Sequence, residues 1–284
     1  MDPSILPDRT WLWLAAVCYL AGFSLGIIAL LRGRRHPRAA MYAILAAGFF
    51  LQTMGLGARG KILQGCPLTN PFEIVQFITW SSMVLFLFVG PAFRVSLLGF
   101  FTSALSALLS IGSLLNSGWD TSVHRHFFGS NPWIEFHAAL AVFSYGVFGL
   151  LALTSFMYLL QMYSLKSKHV RGLFSFLPSI FDLDQINLRL LLTGVVLLTA
   201  SLAVGSVYWV HDIAAVDGAK LTFTLIVWGA YLGALLLRSR SLLITQKLAG
   251  TCIVLFAAAL LSLGPVNASR HPVTPAATPA ATRP

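Results

Sequence analysis

Acidic residues are scarce in this chain. Asp and Glu together number 9 in 284 residues, and all charged residues make up only 10% of the sequence. A soluble domain of this length needs far more polar surface to cover a composition that is 57% hydrophobic, so an ordinary soluble protein is excluded. Cysteine is scarce as well. Cys18, Cys66 and Cys252 form no CxxC pair and no disulfide framework, and Cys18 and Cys252 fall inside apolar runs, where they read as small core residues. Without a C-x-x-C-H the chain is not itself a c-type cytochrome. A basic n-region is also missing. The chain opens Met1-Asp2-Pro3 and places Arg32, Arg34, Arg35 and Arg38 after the first apolar run, which reads as a membrane helix rather than a cleavable signal. Period-two alternation is absent, which excludes a transmembrane barrel.

What is present is a series of continuous apolar runs. Eight lie near 11–31, 41–57, 72–90, 92–116, 134–164, 188–209, 220–238 and 244–264. About 20 apolar residues cross a hydrocarbon core of roughly 30 Å. Backbone polar groups in lipid must be satisfied within each segment, so the runs are helices. The fold class is therefore all-α, a polytopic membrane bundle of about eight transmembrane helices whose environment is the lipid bilayer. The fifth run is long enough for its inner end to project beyond the lipid. Residues 1–264 form the bundle, and the Pro/Ala/Thr-rich residues 265–284 read as a flexible tail. Leu173–Leu183 mixes Phe and Leu with Pro178 and Asp182 and reads as an interfacial helix or turn on the inner face.

The net charge of +10 is not a nucleic-acid footprint, because the basic residues sit in short clusters between apolar runs. Arg32, Arg34, Arg35, Arg38, Arg94, Lys166, Lys168, Arg171, Arg189, Arg238, Arg240 and Lys247 fall on one side. Arg9, Arg59, Lys61, Arg125, Lys220, Arg270 and Arg283 fall on the other. Positive charge marks the cytoplasmic side, which puts both termini outside. No strong internal repeat, no paired broken spans and no mid-membrane ionisable residue argue for a solute transporter.

In this orientation five of the seven histidines reach the outer face: His124, His126, His137, His211 and His271. Imidazole is a good ligand for iron, copper and zinc, so their gathering points to a metal or haem there. Simple tolerance of His in exposed loops is the alternative. Glu73, just inside the third run, is either a capping acid with Thr69 or Asn70 or a functional carboxylate. Trp119, Trp133 and Trp209 form an aromatic belt or wall a flat aromatic ligand. Lys220 is a snorkelling lysine or a propionate partner, as are Arg59, Lys61 and Arg125 among the outer cations.

The order of local patterns resembles the cytochrome c assembly family of CcsA/ResC-type haem-handling membrane proteins, including its HemX-like branch. Pro67-Leu68-Thr69-Asn70-Pro71-Phe72-Glu73 with Trp80 is similar to the family's P-L-S-N-x-Y-E and its following Trp. Trp133, His137 and Tyr145 match its W-x-x-x-H segment and the Tyr beyond it. Leu177-Pro178-Ser179, Leu183-Asp184, Arg189, Gly194, Leu198-Thr199 and Gly205 match the spaced series that comes next. Lys220-Leu221-Thr222, Leu225-Ile226, Trp228 and Tyr231 then resemble a later helix, and Asn267 with His271 the ending. The resemblance covers about residues 55–271.

It implies a haem-handling assembly factor of the bacterial cytoplasmic (inner) membrane rather than a classical enzyme. Its cofactor would be haem b, bound at the outer face. Its partners would be a ResB/Ccs1-type companion and, indirectly, apocytochrome c. It also implies that His137 and His271 are axial ligands to the haem iron, with Trp209, Trp133, His211 and Lys220 around the porphyrin. The family's tryptophan-rich loop is shortened here to Trp209-Val210-His211-Asp212-Ile213-Ala214-Ala215-Val216-Asp217-Gly218. Its inner histidines are replaced by Gly65-Cys66 and Leu235. These departures imply a divergent, accessory or regulatory member, with a HemX-like scaffold or regulator of haem metabolism as the alternative to delivery.

Overall fold

Each apolar run forms one helix. In a computed structural model the described residues are 8–32, 38–93, 97–120, 132–167, 177–209 and 218–268. Among them stand eight α-helices, one 3-10 turn and no strand. The helices are α1 (Asp8–Leu31), α2 (Arg38–Leu63), α3 (Pro71–Phe93), α4 (Leu98–Leu115), α5 (Pro132–Ser167), α6 (Ile180–Trp209), α7 (Gly218–Ser239) and α8 (Thr245–Ala268). The 3-10 turn, Ser117–Asp120, follows α4. Helices α1 to α7 are long and apolar enough to cross a membrane, and α8 contributes a shorter apolar stretch, Thr245–Leu261. The chain is an all-helical, multi-pass membrane protein.

The ends of the helices differ from the apolar runs where capping chemistry, not hydropathy, decides them. Helix α6 begins at Ile180 instead of near 188. The Ser179 hydroxyl accepts the Asp182 N–H at 3.1 Å and donates to the Asp182 carboxylate at 2.6 Å, so the N-terminus is closed there. Residues 180–183 of the expected interfacial segment are therefore the first turn of α6, and residues 173–176 lie outside the described residues. Helix α2 runs past 57 to Leu63 and ends on Gln64, whose φ is 53°, with the Gly65 N–H donating back to the Gly60 carbonyl at 3.1 Å. The same device ends α7 at Ser241, φ 56°, with Leu242 N–H donating to Leu237 C=O at 2.9 Å.

Helix α1 packs between α2 and α4, and α3 lies against α4 on one side and α5 on the other. Helix α5 also carries α6 and α8, with α7 closing the far edge against α6 and α8. Without a hydrophobic force between helices in lipid, close packing of small residues holds such bundles together. The Gly48 backbone of α2 sits against the Tyr19 ring of α1, and α1 lays Gly26 against Phe100 of α4.

Buried amides tie this half together. Tyr19 donates its hydroxyl proton to Gln52 Oε1 at 2.7 Å, and Gln52 Nε2 donates to Gln76 Oε1 at 2.8 Å. Gln76 Nε2 in turn reaches Ser113 Oγ at 2.9 Å and Ser110 Oγ at 3.2 Å. All five side chains are buried, and the chain of bonds links α1, α2, α3 and α4 in one satisfied network.

The α5–α6 seam has a repeating form. Phe148 of α5 lies on Gly194 of α6, and His137 of α5 lies on Gly205 of α6, eleven residues apart on both helices. The two contacts share one antiparallel register, which Thr154 extends inward by donating to Asn187 Oδ1 at 2.6 Å.

Candidate functional site

The described polar residues of the outer end, as the positive-charge rule orients the chain, collect around the start of α5. One part is a clasp built on Arg59. Its Nε donates to Glu73 Oε1 at 2.6 Å, its Nη1 to Asp8 Oδ2 at 2.7 Å, and its Nη2 to Asp120. Arg9 adds a bond from Nη1 to Asp120 Oδ2 at 3.2 Å. The Arg59 guanidinium also lies 4.9 Å from the centre of the Phe72 ring, a cation–π contact.

Glu73 is fully buried. Its N–H donates to the Asn70 side chain at 2.9 Å, which makes Asn70 the cap. Its carboxylate takes bonds from Thr69 N–H at 2.6 Å and Thr69 Oγ at 2.8 Å. Glu73 is thus both a capping acid and the anchor of a buried ion pair. The clasp fastens α1, α2, α3 and the 3-10 turn to one another. Arg59 is consumed by three carboxylates, which removes it from the outer cations available to a propionate.

Glu135 and His137 project from the first turn of α5 in different directions, as positions two apart on a helix must. Glu135 turns toward the α2–α3 connection: a Cβ added at Gly65 would sit 2.5 Å from Glu135 Oε1, so the carboxylate lies directly over that glycine. The neighbouring Cys66 thiol is pushed up to about 11, first by burial and then by the Glu135 and Glu73 carboxylates. Cys66 is held as the protonated thiol, a poor nucleophile and a poor ligand.

His137 turns toward α6. Its Nδ1 lies 2.6 Å from the Ser201 carbonyl oxygen, a distance that requires Nδ1 to carry the proton and donate it. The Ser201 hydroxyl donates to the His137 carbonyl at 3.0 Å, and its oxygen lies 3.1 Å from Nδ1. The ring rests on Gly205, where an added Cβ would meet Cε1 at 2.7 Å and Nδ1 at 2.9 Å. With the proton fixed on Nδ1, the lone pair of neutral imidazole is on Nε2. This arrangement, an Nδ1–H held by a carbonyl, is how proteins prepare a ligating histidine. His137, the one histidine among the described residues, therefore has the donor chemistry that an axial haem ligand needs. Trp133 and Phe136, on the same turn, are 59% and 52% exposed and supply apolar surface.

The other candidates are distributed differently. His211 and His271 lie outside the described residues. Trp209 is the last residue of α6 and Lys220 belongs to the first turn of α7; their side chains lie outside the described residues too. His124 and His126 are likewise outside them. Trp119 is not a free wall: it packs into a cluster of Leu12, Ala16, Leu56, Phe72 and Leu114. Among the described residues no three His, Cys, Asp or Glu side chains gather as a metal site.

The spaced residues of α6 and α7 acquire physical roles here. Ser179 caps α6, and Asp184 accepts Arg238 Nη2 at 2.6 Å. Gly194 and Gly205 receive rings of α5, and Thr199 Oγ1 accepts the Trp228 indole N–H at 2.9 Å. The Tyr231 ring stacks on Phe148 with centroids 3.7 Å apart and planes 3° from parallel.

The profile of the Cytochrome C assembly protein family matches residues 68–267. The chain belongs to the cytochrome c assembly protein family. It is also similar to Protein HemX of Brevibacillus brevis, 27% identical over 178 residues, which is 63% of this chain and 65% of that protein. The chain thus matches just under two thirds of the length of that relative. The profile starts in the α2–α3 connection, so α1 and Arg59 itself, with Asp8 and Arg9, stand outside the matched region, while Glu73 and Asp120 lie within it.

Proposed function

We propose that this member of the family binds haem at the outer face of the bacterial cytoplasmic membrane and serves cytochrome c biogenesis. His137 supplies one axial imidazole. His271 supplies the other, from the tail 265–284 that follows the membrane unit 1–264. The observation that carries this reading is the state of His137: proton on Nδ1, held by the Ser201 carbonyl at 2.6 Å over a glycine floor.

A buried or interfacial histidine with no ligand role needs only a satisfied donor; this one is fixed in tautomer and in plane. Haem b, bound this way, would supply reversible iron redox chemistry and a large apolar surface. The chain's own residues bind and orient it. Trp133 and Trp209 flank the ring, His211 lies in the short loop that follows, and Lys220 pairs with a propionate. Partners on this reading are a ResB/Ccs1-type companion and, through it, apocytochrome c.

The test is a visible spectrum of the detergent-purified protein after addition of haemin. The expected result is a Soret band with low-spin bis-imidazole features, lost in a His137→Ala, His271→Ala double variant. A colourless protein, or an unchanged spectrum in that variant, overturns the reading.

The likeness to HemX favours a second reading, a membrane scaffold or regulator of haem metabolism that does not deliver haem. Replacement of the family's inner histidines by Gly65-Cys66 and Leu235 supports it, and so does the raised Cys66 thiol, which offers no ligand in their place. Stable co-purification of the haem-free protein with a haem-synthesis enzyme or an assembly companion distinguishes it from the first.

A further inference from the structure

We propose that Ser201 and Gly205 of α6 are positioning residues for His137, and that together they prepare its imidazole to ligate a metalloporphyrin. This rests on the reading of His137 as an iron ligand. Three contacts one helical turn apart do the work. The Ser201 carbonyl takes the Nδ1 proton at 2.6 Å. The Ser201 hydroxyl ties α6 to the His137 main chain at 3.0 Å and sits 3.1 Å from Nδ1. Gly205 leaves the space the ring fills, since a Cβ there would lie 2.7 Å from Cε1 and 3.3 Å from Nε2. Residue 205 is helical, and the three atoms nearest to a Cβ built there all belong to the imidazole.

Each contact has a separate consequence. The carbonyl fixes which nitrogen is the donor and which is the ligand. The hydroxyl fixes the height of α5 against α6. The glycine fixes the plane of the ring. Packing alone does not demand this set. Gly194 and Phe148 repeat the ring-on-glycine contact along the same seam with no hydrogen bond to the ring, so they form an internal control for a purely structural role.

The experiment compares Ser201→Ala, Ser201→Thr, Gly205→Ala and Gly194→Ala in the full-length protein. Haem-free samples labelled with 15N-histidine are examined by NMR, with a His137→Gln sample assigning the signal. Haemin-loaded samples are examined by titration and by redox potentiometry. The expected result is an Nδ1–H tautomer for His137 in the parent, the Thr variant and Gly194→Ala. In Gly205→Ala the tautomers mix, and in Ser201→Ala the Nδ1 signal shifts.

Haemin binding weakens about 10–100-fold in Gly205→Ala, the usual effect of losing an outer-shell partner, with the midpoint potential displaced. Gly194→Ala leaves affinity and potential unchanged even if it lowers stability. An Nε2–H tautomer in the parent overturns the proposal. So does an affinity and potential in Gly205→Ala and Ser201→Ala equal to those of Gly194→Ala. If His137→Gln alters the haem spectrum while those variants do not, the positioning role fails and the ligand reading stands. If His137→Gln leaves the spectrum unchanged, both fall.

Discussion

Two rings of α5 lie on two glycines of α6, and they do different things. In the middle of the bundle Phe148 covers Gly194 and stacks on Tyr231, a contact of carbon on carbon. Eleven residues toward the N-terminus of α5, His137 covers Gly205 in the same register, but its ring is held by the Ser201 carbonyl, while the Ser201 hydroxyl donates to the His137 main chain. The helix geometry is shared; only the chemistry changes. A seam that needs nothing but close packing is served by phenylalanine, and the polar ring with a held proton at the equivalent place is the observation on which the haem proposal rests. The surroundings follow the same division. The middle is tied by neutral amides and hydroxyls around Gln52 and Gln76, whereas the outer end is tied by full charges around Arg59.

The largest way to break the comparison is to remove the charge at the outer end. Arg59→Ala leaves Glu73, Asp8 and Asp120 without their common partner, Glu73 fully buried and the other two largely so. Losing one member of such a buried set costs about 3–5 kcal/mol, which thermal unfolding in detergent will read as a marked loss. Arg59→Met, which removes the charge but fills the space, still strands the acids and should recover only part of it. Because Arg59 is committed to the clasp, weaker haemin binding in a folded Arg59→Met protein at equal stability would contradict its structural assignment.

Next in size is the dry contact. Gly194→Ala forces the Phe148 ring from its place and should destabilise by about 1–3 kcal/mol, the usual cost of overpacking. No haem-linked property should follow it. His137→Phe sharpens the comparison further by making the outer contact resemble the inner one. The ring still covers Gly205, so the stability change should stay near about 1 kcal/mol, the net worth of the lost hydrogen bonds. The imidazole signature in the haemin-loaded spectrum should nevertheless vanish. A large loss of stability there would mean that the outer contact is structural after all.

The smallest effect concerns the acid-lined connection beside Glu135. With its thiol pushed up to about 11, Cys66 holds on the order of 100-fold less thiolate near neutrality than an ordinary thiol. Alkylation by a thiolate-directed reagent should be slow at pH 7 and rise about tenfold per pH unit until it levels above pH 11. Glu135→Gln should speed it modestly, since burial and not that carboxylate is the first cause of the shift.

The division between what could and could not be read from the residues follows from the range of each interaction. Spans, their helical nature and a cap at Thr69 or Asn70 are local and legible, since apolar length and a short capping pattern decide them; the structure chooses Asn70. Glu73 could be read as a cap but not as half of an ion pair, because Arg59 is fourteen residues away on another helix and only packing brings them together. The start of α6 was misplaced because Ser179 and Asp182 close the helix before the hydrophobic run begins.

His137 was identifiable from the order of motifs, and Gly205 belonged to the same series. That the glycine makes room for that histidine is a tertiary fact with no local trace. Ser201 carried no signal beyond lying one turn before Gly205. Gln52 and Gln76 could have been noticed as amides inside apolar spans, where an unsatisfied polar group is costly and a partner is therefore expected.

The most direct test is chemical rescue at position 137. In His137→Gly the imidazole is removed while α5 and its contact with α6 are kept, and the haemin-loaded protein is followed by visible and electron paramagnetic resonance spectra as free imidazole is added. The account predicts a change from low-spin to high-spin iron on mutation and a return to the low-spin bis-imidazole spectrum as imidazole saturates the site. A spectrum that is low-spin without added imidazole, and indifferent to it, would contradict the assignment of His137 as the ligand.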